Sequence, residues 1–236
     1  MKRSMWFGFV PFYLLILIAV IGIASAGSNA VTAIAQNRPV QRQHRFVIDA
    51  GHGGIDGGAT SCTGVLESQI NLEIALRVND LFHFLGYDTV MIRSADESIY
   101  TEGTTIAAQK ISDLKERARI ANETEGGILV SIHQNTFSDS KYSGGQVFYA
   151  NTPGSDRLAG TLQQLFNASR TPAGNRKTKK AQNVYLMQHV TCPAVLIECG
   201  FLSNSQEEAK LRSPDYQKCL AALIVTGCSG YLLEMK

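Results

Sequence analysis

The stretch Arg45-Phe46-Val47-Ile48-Asp49-Ala50-Gly51-His52-Gly53-Gly54-Ile55-Asp56-Gly57-Gly58 decides the fold. Phe46, Val47 and Ile48 form the short apolar run of a buried strand, and it stops at a glycine-rich segment where the backbone can turn tightly. Beyond it, Ile70, Ile74, Val78, Leu81, Phe82 and Leu85 recur at helical spacing, and Gly86 supplies the stop. Residues 87–92 read as a second strand, 111–121 as a helix, 128–132 as a strand and 146–149 as extended chain. Residues 156–168 read as a helix, 195–197 as a buried strand and 214–232 as the last helix. Strands alternating with helices predict an α/β fold: a single three-layer domain whose mostly parallel, twisted sheet carries helices on both faces. The domain is assigned to residues 45–233, with no internal repeat and no room for a second domain.

Upstream of this domain lies an apolar leader. Lys2 and Arg3 precede residues 6–24, a run without a charged side chain. As an N-terminal hydrophobic helix that run would span about 28 Å, close to the roughly 30 Å hydrocarbon core. Its length favours a membrane anchor, whereas Ala24-Ser25-Ala26 has the small-residue form of a signal-peptide cleavage site. Residues 1–26 are therefore expected to be a signal peptide or membrane anchor, and residues 27–44 a polar tether. Either reading exports the domain, with Lys2 and Arg3 held inside.

Composition closes off other classes. Of 236 residues, 44% are hydrophobic and 18% charged, which excludes a disordered chain. A near-neutral average hydropathy excludes a multi-span membrane protein. The net charge is +2, and it vanishes without Lys2 and Arg3, so no global field attracts nucleic acid. Five cysteines (62, 192, 199, 219, 228) are too few, and odd in number, for a disulfide scaffold.

The chemistry concentrates where strands run out. The first strand leads into His52, the third into His133-Gln134-Asn135, and the one near the C-terminus into Glu198. In open α/β sheets the crevice beyond the carboxyl ends of the strands is where ligands bind. Two histidines and a carboxylate suit zinc, and Glu67, at the start of the first long helix, can supply the carboxylate. Taken singly, a histidine at a strand end is an ordinary hydrogen-bonding loop residue, and Glu67 a favourable first-turn charge. Glu198 follows the apolar run Ala194-Val195-Leu196-Ile197, and a carboxylate buried there needs a partner or a task. Cys199 should point to the opposite face as a small core residue. His44, His83 and His189 read as structural. No phosphate loop, dinucleotide fingerprint, GxSxG elbow or CxxC pair is present.

A basic, helix-poor stretch contains Arg170, Arg176, Lys177, Lys179 and Lys180. It reads either as a solvated loop or as a contact for substrate carboxylates.

These residues resemble the zinc-dependent N-acetylmuramoyl-L-alanine amidases of the type 3 amidase family. The match runs through Val47-Ile48-Asp49-Ala50-Gly51-His52-Gly53-Gly54-Ile55-Asp56-Gly57-Gly58-Ala59, then Glu67 and Asn71-Leu72, then Ser131-Ile132-His133-Gln134-Asn135. It closes with Pro193-Ala194-Val195-Leu196-Ile197-Glu198-Cys199-Gly200-Phe201-Leu202-Ser203-Asn204. Four blocks in the family's order are far more specific than any one. The resemblance implies that His52, Glu67 and His133 hold Zn2+, that Glu198 is the catalytic carboxylate, and that the substrate is peptidoglycan. The reaction implied is hydrolysis of the amide between the lactyl group of N-acetylmuramic acid and L-alanine of the stem peptide. Asn135 is expected to orient the site, and Arg176 and Lys177 to meet substrate. One catalytic domain behind one leader also looks like the spore-cortex, germination-related subgroup of endospore formers, whose reaction leads towards muramic-δ-lactam. That reading places the chain in the cell envelope, in the space between forespore membranes, with an activating protein partner as a further expectation. The alternatives are another zinc peptidase or deacetylase of the wall, and an inactive wall-binding regulator. The second usually lacks a ligand or the acid, and here all four positions are filled.

Overall fold

A computed structural model describes residues 44–169 and 176–235. The predicted leader (residues 1–26), nearly all of the tether and Arg170 lie outside the described residues. Six strands form one sheet in the order β2-β1-β3-β6-β4-β5. Strands β1 (Arg45–Ala50), β2 (Asp88–Met91), β3 (Gly127–Asn135) and β6 (Ala194–Phe201) run parallel to one another. Strand β4 (Gln146–Tyr149) is antiparallel to β6, and β5 (Lys179–Lys180) extends that edge. The mostly parallel sheet expected from the strand–helix alternation is present.

Helices cover both faces. α1 (Glu67–Phe84), α3 (Ser155–Ala168) and α6 (Pro214–Glu234) pack in one core with Phe46, Ile48, Val130, Ile132, Val195 and Ile197. α2 (Ile106–Glu123) and the short α4 (Tyr185–His189) cover the other face, over Val47, Leu129, Ala194 and Leu196. Central strands are thus buried on both sides, which is why β1 and β6 read as continuous apolar runs rather than alternating ones.

The boundaries differ from the sequence reading in physically interpretable ways. α2 begins at Ile106, earlier than residue 111, because the Thr105 side chain accepts a hydrogen bond from the Ala108 amide and caps the first turn. α1 stops as expected, with Gly86 at φ 80 and its amide bonded to the His83 carbonyl. Two helices escaped the periodicity altogether. α4 is only one turn long, and α5 (Ser205–Leu211) is two turns, too short for a repeating stripe. α5 does carry a start signal: Asn204 accepts from the Gln206 and Glu207 amides. The largest difference matters for the site. β3 continues to Asn135 and β6 to Phe201, so His133 and Glu198 project from strands, not from loops beyond them.

Candidate metal centre

His52 lies two residues past β1 with φ 60, in the left-handed region where a non-glycine residue is uncommon. A tight turn, Gly53 N to Asp56 O at 2.7 Å and Asp56 N to Gly53 O at 3.0 Å, folds the chain back over it. Two glycines make room for the imidazole and carboxylate side chains. A Cβ on Gly51 would lie 2.2 Å from the His133 ring. One on Gly58, at φ 68, would lie 2.7 Å from both Glu67 Oε2 and the His52 ring.

Glu67 is the first residue of α1 and is buried. Its Oε2 accepts from the Ala59 amide at 3.0 Å; its Oε1 accepts from the Gln134 amide at 3.1 Å and Asn71 Nδ2 at 3.2 Å. It touches both imidazoles: His52 Nε2 is 3.3 Å from Oε2, and His133 Nδ1 is 3.1 Å from Oε1. One ligand atom from each of His52, Glu67 and His133 lies within 4.8 Å of the others. Burial alone would push the Glu67 carboxyl up, but the two imidazoles hold it far below the usual carboxylate range. Burial likewise opposes a charge on His52, yet Glu67 and Asp56 win and raise it to about 9.

Glu198 sits on β6 directly opposite His133 on β3. Its Oε2 is buried and has no hydrogen-bond partner among the described residues. Burial pushes its carboxyl up to about 7; the charge of Glu67 adds to this and the imidazoles oppose it. A carboxylate with that value sits where it can both take and return a proton near neutrality. Cys199, its neighbour, is fully buried in the opposite core as expected, and burial drives its thiol far up.

His52 and His133 line a cleft of about 290 Å³, walled also by Lys110, Leu114 and Arg117 of α2 and by Asn183, Tyr185 and Leu196. Sequence reasoning assigned no role to several groups here. Asp56 Oδ2 bonds His52 Nδ1 at 2.9 Å while Oδ1 meets Lys110 Nζ at 2.7 Å. Arg117 pairs with Asp49 at 2.5 Å and with Asp113 at 2.5 Å, and donates to the His52 carbonyl at 2.8 Å. Asp56, four residues after His52, was the one signal available; Arg117 looks like any helical cation until its burial is known.

Asn135 pairs with Phe201 just past a register shift, and its carbonyl accepts from the Leu202 amide. The basic stretch divides. Arg176 is engaged inside the protein, donating to the Ser143 carbonyl at 2.8 Å and lying 5.3 Å above the Phe201 ring. Lys177, Lys179 and Lys180 are exposed, and Lys180 lines a second cleft that shares Asn183 with the first. His83 bonds Thr89, and His189 stacks on Tyr185; neither belongs to the His52–Glu67–His133 cluster. All five cysteines are free.

Comparison with known proteins agrees with this geometry. The sequence profile of the N-acetylmuramoyl-L-alanine amidases matches residues 46–229. The germination-specific N-acetylmuramoyl-L-alanine amidase of Bacillus subtilis is 37% identical over 189 residues, 79% of each chain. The structure of the CwlD amidase from Clostridioides difficile, in complex with the GerS lipoprotein, superposes with a TM-score of 0.76 at 36% identity. It covers 80% of this chain and 98% of that one. The catalytic domain of CwlV, an amidase of Bacillus (Paenibacillus) polymyxa, has a TM-score of 0.68 at 31% identity, covering 80% and 98%.

Proposed function

Since the chain belongs to the N-acetylmuramoyl-L-alanine amidase family, we propose that His52, Glu67 and His133 hold a zinc ion and that Glu198 is its catalytic acid–base. The chain is a peptidoglycan amidase: it cleaves the amide between N-acetylmuramic acid and the L-alanine of the stem peptide. The catalytic domain spans residues 45–233. The observation that carries the site is the meeting of three ligand atoms within 4.8 Å beside a buried, unpartnered carboxylate oxygen. Two imidazole nitrogens and one carboxylate oxygen are a donor set that suits zinc and leaves a coordination position open.

When bound, zinc supplies a Lewis acid for the scissile carbonyl and the attacking water. The residues do the rest. Glu198 takes the proton from the water, for which its raised affinity is suited, and then delivers a proton to the departing alanine nitrogen. Without that delivery the amine is a poor leaving group. Asp56 fixes the His52 ring through Nδ1, leaving Nε2 to face Glu67. Asn135 closes the end of β3 and orients His133 through the strand. The exposed lysines 177, 179 and 180 meet stem-peptide carboxylates, and Arg176 anchors the segment that presents them.

The likeness to a germination-specific amidase and to CwlD supports a role in spore-cortex maturation towards muramic-δ-lactam. It supports action outside the cytoplasm; on this reading the enzyme works in the cell envelope or between the forespore membranes, delivered by residues 1–26. No described helix is long and apolar enough to cross a membrane; the apolar run at residues 6–24, outside the described residues, is the proposed membrane contact. The CwlD structure contains the GerS lipoprotein, which supports a protein partner for this chain as well.

Mass spectrometry of purified muropeptides incubated with the zinc-loaded protein tests the reading. Intact stem peptides with a free N-terminal L-alanine are expected. Loss of only a terminal residue, or of an acetyl group, would instead make this a wall peptidase or deacetylase.

A further inference from the structure

Arg93 emerges just past β2 and is 2% exposed. All four of its hydrogen bonds among the described residues go to backbone carbonyls: Nε to Ala50 at 2.8 Å, Nη1 to Ala95 at 2.9 Å, and Nη2 to both Gly51 at 3.0 Å and Ser68 at 2.9 Å. A buried guanidinium without a carboxylate at hydrogen-bond distance is costly, and it persists only where its donors meet a fixed array of acceptors. The acceptors here are informative. Gly51 immediately precedes His52, and Ser68 immediately follows Glu67, so a single nitrogen bridges the two segments that carry two ligands.

The same point is pinned from other directions. The Gly51 carbonyl also accepts from Asn71 Nδ2 at 3.1 Å, and Asn71 in turn holds Glu67 Oε1 and receives Gln134 Nε2. Gly51 is the residue whose α-carbon faces the His133 ring. Gly53, at φ 134, packs so closely on the guanidinium that a Cβ there would lie 2.8 Å from Nε. Each ligand is therefore adjacent to, or in contact with, a backbone unit that Arg93 holds.

We propose that Arg93 is a positioning residue of the metal centre: it clamps the β1 terminus to the first turn of α1, so that His52 and Glu67 are aligned before the ion arrives. This rests on the metal reading above. Preorganisation of this kind sets metal affinity without any contact with the metal, and supporting residues of that type are typically worth about 10–100-fold. Lysine keeps the charge but lacks the planar fork that reaches four acceptors.

The test measures Zn2+ affinity by competition with a chelating dye, and Co2+ coordination by its visible absorption, for wild type, R93K, R93Q and E67A. Val225→Ala, a core change on α6, serves as a control for general destabilisation. We expect R93K to bind zinc about tenfold more weakly, R93Q up to about 100-fold more weakly, and both to shift the Co2+ bands. Val225→Ala should lower the melting temperature of the metal-free protein without changing affinity. R93K and R93Q within about twofold of wild type, or a loss of affinity matched by Val225→Ala at equal melting temperature, overturns the proposal. If R93K fails to fold, R93Q carries the comparison. Should E67A bind zinc as wild type does, the metal reading itself fails; if E67A abolishes binding while both Arg93 variants match wild type, only the clamp does.

Discussion

His133 and Glu198 are register partners on the adjacent parallel strands β3 and β6, and the ladder shifts register immediately after them. Parallel strands present the side chains of paired residues to the same face, so a proposed ligand and the proposed acid share one side of the sheet edge. Leu129 and Leu196, on that face further down, close the core beneath them. The pair is held by backbone hydrogen bonding, which needs no help from the metal.

The proposed division of labour between Glu198 and the three candidate ligands gives the first prediction. Glu198→Gln should lower kcat by about 10²–10⁴-fold, the range general acid–base catalysis supplies, with little change in KM. Zinc measured by elemental analysis should stay near one per chain. Loss of the metal in this variant would make Glu198 a ligand.

Gly51→Ala tests the close approach on which the proposed ligand geometry depends. The backbone there is outside the left-handed region, so any defect comes from the Cβ, 2.2 Å from the His133 imidazole. The ring has to turn away. Overpacking should cost about 1–3 kcal/mol in the metal-free protein by urea unfolding. Zinc affinity should fall at least about tenfold. Wild-type affinity would show that His133 tolerates a different rotamer.

The pair Asp49–Arg117 gives a pH-dependent prediction. Burial would raise the Asp49 carboxyl, but Arg117, assisted by His133 and Ser131, holds it below its ordinary value. A depressed carboxylate contributes stability above its unfolded value, near 3.9, and loses it as pH falls through the lower folded value. Asp49→Asn should cost about 3–5 kcal/mol at pH 7, because it leaves part of a buried charge uncompensated. The gap to wild type should narrow below about pH 4, where wild type loses the pair too. Urea midpoints at pH 7, 4 and 3 measure this; a pH-independent gap would mean the packing, not the charge, is what matters.

Replacing Lys177, Lys179 and Lys180 by Gln tests the substrate contact. These side chains are exposed, so the fold should be unaffected. With a substrate bearing stem-peptide carboxylates, KM should rise several-fold and lose most of its dependence on salt, while kcat stays unchanged. An unchanged KM and salt profile would return the stretch to a solvated loop.

Much of this is legible in the sequence. The apolar runs at Phe46, Ile128 and Val195, each feeding a glycine, histidine or glutamate, gave both the parallel sheet and the edge on which chemistry would gather. What the sequence hides is strand length: polar residues at 133–135 and 198 look like loop, although the ladder with β6 carries β3 on to Asn135 and Glu198 is paired on both sides, with His133 and Gln146. Arg176 shows the reverse. Its charge suggested an exposed contact, whereas its guanidinium lies over Phe201 and bonds Ser143, partners distant in sequence.

Local sequence determined the elements, the turn at residues 51–58 and the candidate ligands, because periodicity, capping and glycine placement act over a few residues. Only the tertiary structure decided that Glu67 reaches His133 across 66 positions, that β6 aligns Glu198 with that histidine, and that Arg93 and Arg117 turn inward on the β1 terminus. Those relationships depend on strand order and register. Packing of the whole sheet between its two helical layers fixes both, and no short-range pattern encodes them.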